Sequence, residues 1–441
     1  MPEDCRGLDV SAASADAVAA LDHTIRGYTG MAKDTGDRLK AALGADGDMV
    51  MGHVLKGYFF MLMATKPLRE RAEKALAQAQ ALADGANPRE RRHVAALEAW
   101  VGGRTREALD QWESILVDHP LDLLALRIAH HGYFYAGDGQ NLRDTVARCL
   151  HAWDDDVPDY GFVMGMRAFG LEETHAYDVA IEAGEVAVEL EPDNPWAIHA
   201  VAHVHEMTDQ PAAGIEWITH HEPGWTGCNN FRNHIWWHRA LMRLDRGEYS
   251  EALAIFDQQI TQRDMTEYLD LINDAALLLR LELHGQDVGE RWAVLAEQCT
   301  ERADDHQLIF LDAHIAAGMA GADTQVAAAM VTRLRDASEA ADLEDDNAQV
   351  AAGVGADAAE ALVAYKAGDM ERVCDVLEPI RYDLYAMGGS HAQRDLWSMV
   401  LLDAAIQAGR SNTAHALAAE RLCRLPANAW SQAAFDRAMA I

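Results

Sequence analysis

Hydrophobic and small residues recur along this chain at the spacing of α-helices, and the pattern itself repeats. Three segments of the same character superpose when the chain is shifted along itself, which places Ala108, Ala180 and Ala252 at successive intervals of 72 residues. Helical segments of the same kind fall between and beyond them, so the repeating unit is about 36 residues long. Each unit is predicted to be a hairpin of two helices.

The sequences between the helices support this division. Glycine ends the first helix of several pairs, as at Gly137, Gly247 and Gly368, where it can adopt the left-handed geometry that stops a helix. Proline follows several second helices, as at Pro120 and Pro192. A helix–turn–helix unit of about 34 residues that ends near a proline is typical of tetratricopeptide repeats. We therefore predict an all-α, tetratricopeptide-like helix-hairpin solenoid of about nine or ten pairs, wound into a right-handed superhelix.

Stacked helix pairs cannot bury their apolar faces alone, which favours one continuous array. The predicted organisation is an N-terminal helical region over 1–50 and a single repeat domain over 51–441. The acidic, glycine-containing stretch 336–355 is the nearest candidate for an interruption. It predicts a long loop or a repeat insertion.

Composition narrows the function classes. The 441 residues are 50% hydrophobic and carry a formal net charge of -34, which argues against nucleic-acid partners and anionic membranes. The chain has neither an apolar run of about 20 residues nor a signal-peptide pattern at its start, so a cytoplasmic location is predicted. The six cysteines are widely spaced, which indicates reduced thiols. The oligomeric state stays open.

Ionisable residues recur at the repeat spacing. In a tetratricopeptide superhelix the first helix of each pair lines a concave groove, so residues one repeat apart form rungs along it. Six residues follow one another at intervals of 36, 36, 35, 36 and 38: His131, Arg167, His203, His238, Asp274 and Asp312. A parallel row lies one helical turn earlier: Arg127, His199, His234 and Asp270. This pattern predicts a groove lined by His, Asp and Arg.

The histidines of these rows form two His-x-x-x-His pairs one repeat apart. Residues four apart share one helix face, so the four imidazoles are candidate ligands for zinc or another divalent metal: His199, His203, His234 and His238. Glu206 shares the face of the first pair. Neither pair contains the built-in glutamate of H-E-x-x-H, so metal is not the leading interpretation.

A metal-free site would use the same residues as acid and base. His203 and His238 are then the catalytic candidates, Asp274 or Asp312 would orient one of them, and Arg167 or Arg394 would hold an anionic group. Adjacent Trp236 and Trp237 cannot share a helix face, so one of them is expected to edge towards the groove. The predicted ligand-binding set is His131, Arg167, His199, Glu206, Asn230, His234, Trp237, Asp312 and Arg394.

Several segments carry His, Trp, Asn and Gln where ordinary repeats carry small or apolar residues. They surround His53, span 194–207 and 225–241, and include the Gly-Gly-Ser-His-Ala-Gln-Arg-Asp-Leu-Trp sequence from Gly388. Through these segments nearly the whole chain resembles the tetratricopeptide repeat protein 38 family. The resemblance implies a single-chain α-helical solenoid.

Two classes of function are consistent with these patterns. The first is a repeat protein that binds a small molecule or a peptide in its groove, as tetratricopeptide arrays commonly do. The second is a small-molecule enzyme of hydrolase or lyase type, with groove histidines as acid and base or as metal ligands. The usual function of the fold favours the first, and the scarcity of lysine together with the acidic balance favours a closed small-molecule site.

Overall fold

The computed structural model describes residues 1–261, 268–342 and 344–441. These residues are predominantly α-helical and contain no strand, apart from one isolated antiparallel bridge between Glu3 and Asp9. The prediction of an all-α fold is therefore confirmed. None of the helices in the described parts combines the length and apolarity that crossing a bilayer requires.

The helices have the following bounds. The first thirteen are α1 (Ala15–Thr29), α2 (Thr35–Ala45), α3 (Val50–Leu62), α4 (Lys66–Leu82), α5 (Pro88–Val101), α6 (Thr105–Asp118), α7 (Leu123–Tyr135), α8 (Gly139–Cys149), α9 (Tyr160–Glu172), α10 (Tyr177–Leu190), α11 (Pro195–Met207), α12 (Pro211–His220) and α13 (Glu222–Trp225). The others are α14 (Phe231–Asp245), α15 (Tyr249–Ile255), α16 (Tyr268–Leu283), α17 (Arg291–Glu301), α18 (Ile309–Ala320), α19 (Thr324–Ala340), α20 (Asp346–Val350), α21 (Ala356–Ala367), α22 (Met370–Ile380), α23 (His391–Gln407), α24 (Ser411–Arg424) and α25 (Ala429–Met439).

The chain divides into two units. The first comprises 1–201 and 221–232 with a short piece at 344–346, and the second comprises 202–220, 233–342 and 347–441 apart from the residues outside the described ranges. Helices α11 and α14 each contain a point of division. The expected single repeat domain over 51–441 stays a prediction.

Helices that follow one another in sequence pack together within each unit. In the first unit α3 packs on both α4 and α5, and α9 packs on α10 and α7. In the second, α16 contacts α17 and α18, and α23 contacts α22, α24 and α25. Packing of each helix on its neighbour and on the next but one is the arrangement of a helical solenoid. This confirms the predicted helix-hairpin repeat.

The predicted turn glycines have the expected conformation. Gly137, Gly247 and Gly368 have φ values of 67°, 72° and 78°, in the left-handed region that favours glycine. Of the two alternatives for 336–355, the long loop is wrong, because α19 continues to Ala340, α20 begins at Asp346 and a π-helical turn covers Ala351–Gly355. The repeat insertion stays a prediction. Leu343, in the same stretch, lies outside the described residues.

A buried ionic cluster fixes the start of α7 in the first unit. The Asp122 carboxylate accepts hydrogen bonds from Nη1 of Arg89 at 2.6 Å, from Nε2 of His93 at 3.1 Å and from the backbone N–H of Ala125 at 2.9 Å. Burial alone would raise the pKa of Asp122, but these three partners together hold it well below its usual range. Asp122 is therefore a buried, fully paired anion.

Candidate functional site

Two histidines of α14 face each other inside the second unit. His234 and His238 lie one helical turn apart and are 4% and 0% exposed. Their Nε2 atoms are 3.2 Å apart, and their ring centroids are 4.7 Å apart. The helix thus directs two imidazole nitrogens to one point in the protein interior.

The other nitrogen of each ring is held by a polar side chain. Nδ1 of His238 lies 2.7 Å from Oε2 of Glu206, at the end of α11, and Nδ1 of His234 lies 2.8 Å from Oδ1 of Asn273, on α16. Burial lowers the pKa of both imidazoles well below the ordinary value, and a neighbouring histidine lowers each further. Both rings are therefore neutral at physiological pH.

A third imidazole belongs to the same cluster. His203, on α11, is fully buried, and its ring centroid lies 4.3 Å from that of His238. Ring nitrogens of His203, His234 and His238 all lie within 4.8 Å of one another. These three residues are called the histidine triad below. Both catalytic histidines predicted from the sequence, His203 and His238, are members of it.

Trp237 covers one side of the triad. Its fully buried ring stacks on His234 at a centroid distance of 5.2 Å and an interplanar angle of 13°. The Arg280 guanidinium lies 5.4 Å from the centroid of the same ring. Trp237 therefore packs against the imidazole and fixes its plane, whereas its neighbour Trp236 is half-buried.

A recess adjoins this centre, and Glu206 forms part of its wall. Its volume is about 560 Å³, including the part of its mouth that is open to solvent. The charged and ionisable side chains that line it are Glu206, Asp209, Asp245, Arg280, His284, Asp395, Arg421 and Arg424. The carboxylate of Glu206 thus belongs both to the recess and to the hydrogen bond that holds His238.

The arginines of the recess are anchored by acceptors behind them. Arg421 donates two hydrogen bonds to Asp395, at 2.8 and 2.9 Å, and Arg424 also pairs with that carboxylate. Arg280, 4% exposed, donates from Nη2 to the backbone carbonyl of Ala392 at 2.7 Å. Burial lowers the pKa of Arg280. The recess therefore contains a buried cation that is bound mainly to neutral carbonyl groups.

Two carboxyl groups of the recess have raised pKa values, in contrast to the lowered pKa of Arg280. Burial raises the pKa of Glu206 to about 7, and burial together with the nearby Glu206 raises that of Asp245 to about 7. Asn428 donates a hydrogen bond to Asp245 at 2.9 Å and lowers its pKa in part. Both carboxyl groups thus titrate near neutral pH.

The acids predicted from the repeat spacing lie elsewhere. Asp312, 2% exposed, bonds to Nδ1 of His306 at 3.0 Å. Asp274 is 1% exposed, and burial raises the pKa of its carboxyl group well above the usual value, an effect that the Thr261 side chain partly offsets. Neither acid is among the residues lining the recess. The proposed orienting role of Asp274 or Asp312 stays a prediction.

The burial of Asp274 leads to a stability prediction. An acid whose folded-state pKa is raised destabilises the protein increasingly as pH rises from its unfolded pKa, near 4, towards the folded value. Asp274→Asn is therefore expected to raise the free energy of unfolding at pH 7 by about 1–3 kcal/mol, and by less at pH 5. Urea unfolding at both pH values measures this, with the exposed Glu297→Gln on α17 as control. A less stable Asp274→Asn protein at pH 7 would show that an ionised Asp274 stabilises the fold.

The remaining predicted residues belong mainly to the first unit. Nδ1 of His131 lies 2.9 Å from the Tyr28 hydroxyl, and His199 is packed among the rings of Phe169, Trp196 and Phe231 at 5.0–5.4 Å. Arg167 and Asn230 are half-buried in that unit. In the second unit, Arg394 donates to the carbonyls of Gly388 and Gly389 and so holds its own loop. Ligand binding by these residues stays a prediction.

Sequence reasoning missed part of the site. Asn273, Arg280, Asp245 and Arg421 were not among the predicted site residues. Arg280 could have been found, because it is a lone cation within the apolar sequence Leu-Leu-Leu-Arg-Leu of α16, and a buried cation needs acceptors around it. Asn273 follows His234 by 39 residues, close to the repeat spacing.

Solved structures of other proteins include chains with a similar fold. The fold is similar to that of a chain in the crystal structure of the APC/C hetero-tetramer Cut9-Hcn1, with a TM-score of 0.40 and 12% sequence identity. The alignment covers 96% of this chain and 75% of that chain. No protein-family profile matches the sequence. The resemblance to the tetratricopeptide repeat protein 38 family therefore stays a prediction, and the helix pairs themselves define the fold.

Proposed function

We propose that this repeat protein binds a small organic molecule with both an acidic and a basic group, such as an amino acid, in the recess of the second unit. One observation carries the proposal: the walls of the recess hold groups of both charges that are half-buried or buried. Arg280 supplies positive charge to the walls, and the carboxyl groups of Glu206 and Asp245 supply negative charge when they are ionised.

The arginines suit the acidic group of such a ligand. A guanidinium group offers several N–H donors in one plane, which matches the two oxygens of a carboxylate. Arg280 is buried, and its hydrogen bonds go to backbone carbonyls. The carboxylates around it act on it through space, so the acidic group of a ligand would be a carboxylate bonded to it directly. Arg424 is 45% exposed in its side chain and lies within reach of a ligand at the mouth.

The acids suit the basic group. Two half-buried carboxyl groups with pKa values near 7 repel each other when both are ionised. An ammonium group between them would favour the ionised form of both and would be bound by both. The ligand would therefore lower the pKa values of Glu206 and Asp245.

The extent of the recess favours a small molecule over a peptide. Its volume of about 560 Å³ includes the open mouth, and the enclosed part is small. An extended peptide would leave most of its backbone outside.

A matched set of probes tests the proposal. Pentanoate is norvaline without its amino group, and butylamine is norvaline without its carboxylate, so only norvaline carries both charged groups. We expect norvaline to raise the melting temperature of the full-length protein more than pentanoate or butylamine does. Calorimetry should show saturable binding of norvaline. Equal effects of all three probes, or none, would contradict the proposal.

A pair of arginine variants tests whether the amino acid binds in the recess. Arg424 and Arg437 have the same side-chain exposure, 45%, and each pairs with one aspartate, but Arg437 is not among the lining residues. Arg424→Gln is expected to weaken amino-acid binding about tenfold, the effect of losing one hydrogen bond to a charged group. Arg437→Gln should leave the affinity unchanged. Identical amino-acid affinities in both variants would show that the recess is not the binding site.

A further inference from the structure

The geometry of the histidine triad points to a binding site for a divalent transition metal, which we propose to be zinc, held by His203, His234 and His238. This inference is independent of ligand binding in the recess, because it requires neither the arginines nor an occupied recess. It rests on the tautomers of the rings, on the distances between their nitrogens and on the third imidazole.

The hydrogen bonds on the outer side of the pair determine which nitrogens carry hydrogen. A cation bound to the triad would favour the ionised form of Glu206, which accepts a hydrogen bond from Nδ1 of His238. The Asn273 side-chain oxygen likewise accepts from Nδ1 of His234. A neutral imidazole has one N–H, so in both rings Nε2 carries a lone pair. These two lone pairs lie on the sides of the rings that face each other.

The distance between those atoms fits a shared metal ion. Nε2 of His234 and Nε2 of His238 lie 3.2 Å apart, and a cation bound between them would use the lone pairs of both. Zinc binds imidazole nitrogen at about 2.0–2.1 Å in tetrahedral geometry, which sets two coordinating nitrogens about 3.3 Å apart. The observed separation matches this value before any movement of the side chains.

His203 supplies a third nitrogen from another helix. Its ring lies 4.3 Å from that of His238, centroid to centroid, and ring nitrogens of all three histidines fall within 4.8 Å of one another. Three imidazoles are the ligand set of zinc sites that keep a fourth position for water or substrate. A set of nitrogen donors excludes magnesium and calcium, which prefer oxygen ligands.

The surroundings of the triad are those of a metal site. Histidine ligands usually donate their second N–H to a carboxylate or a carbonyl, which orients the ring and increases the basicity of the binding nitrogen. Glu206 does this for His238 and Asn273 does it for His234. Trp237 stacks on His234 and restricts it to one plane. The pair is thus oriented for coordination on both sides.

Metal titration of the full-length protein tests the inference. Protein freed of metal with a chelator is titrated with zinc chloride against a chromophoric competitor, and separately with cobalt chloride, whose visible absorption reports four-coordinate nitrogen ligation. We expect one equivalent of each metal to bind, and His234→Ala and His238→Ala to lose binding. His205→Ala, on the same helix as His203 but outside the triad, should bind normally. Absence of stoichiometric binding, or full binding in both alanine variants, overturns the inference.

A more conservative variant tests zinc binding if the His234→Ala and His238→Ala proteins unfold. Glu206→Gln keeps the shape of the side chain and replaces the carboxylate that orients His238. It is expected to weaken zinc affinity about 10–100-fold while circular dichroism stays unchanged. Unchanged zinc affinity in this variant overturns the inference. Arg424→Gln should bind zinc normally, so failure of the metal site and failure of the proposed ligand site are distinguishable.

Discussion

Replacing Asp122 with alanine is expected to lower the free energy of unfolding by about 3–5 kcal/mol. The substitution leaves the buried Arg89 without its carboxylate partner and removes the acceptor of His93. It also removes the side-chain cap that bonds the Ala125 amide at the start of α7. A buried cation left without its partner accounts for most of the expected loss.

An exposed aspartate provides the control for this prediction. Asp118, 53% exposed in its side chain, pairs with Arg92 at 2.6 Å, and Asp118→Ala should change stability by less than about 1 kcal/mol. The folded-state pKa of Asp122 is depressed, so its contribution is present above pH 4 and is lost as pH falls further. Urea unfolding of the three proteins measures both effects. A loss below about 1 kcal/mol in Asp122→Ala would show that the cluster does not stabilise the first unit.

Replacing Trp237 with alanine is expected to cost a similar amount, about 3–5 kcal/mol. The ring is fully buried in the core of the second unit, and its removal leaves a cavity beside His234. It also removes the aromatic face that lies 5.4 Å from the Arg280 guanidinium. The variant is therefore expected to lose stability and to loosen the triad together.

The adjacent tryptophan is a matched control. Trp236 is half-buried, and the Arg239 guanidinium lies 4.9 Å from its ring centroid. Trp236→Ala should cost less, about 1–2 kcal/mol, because its ring is only partly buried against the core. Chemical unfolding followed by circular dichroism compares the two. Equal losses would contradict the assignment of Trp237, and not Trp236, to the wall of the triad.

The hairpin repeats were predictable because their signals are local. Helix-ending glycines such as Gly137 and Gly368 have to adopt positive φ whatever lies around them, and the 72-residue intervals reflect the stacking of similar units. The repeat spacing also placed His203 and His238 at equivalent positions in the first helices of neighbouring repeat units. The structure brings their rings together. Repeat spacing therefore predicted which histidines meet.

The surroundings of the histidines could not be predicted in the same way. Repeat spacing does not distinguish a groove-facing residue from one inside the helix layers, and His203, His238 and Asp274 are each no more than 1% exposed. The recess is built by contacts between residues far apart in sequence, such as Asp395 with Arg421 and Arg280 with Ala392. Such pairs follow from tertiary packing, which no local pattern encodes.

A bound metal would make the histidine triad a chemical centre as well as part of the core. Anomalous diffraction at the zinc absorption edge, from crystals of the full-length protein grown with zinc, detects such a metal. We expect one strong anomalous peak at about 2.0–2.1 Å from Nε2 of both His234 and His238 and within bonding distance of His203. Crystals that show His234 and His238 in this arrangement without a peak between them would contradict this expectation.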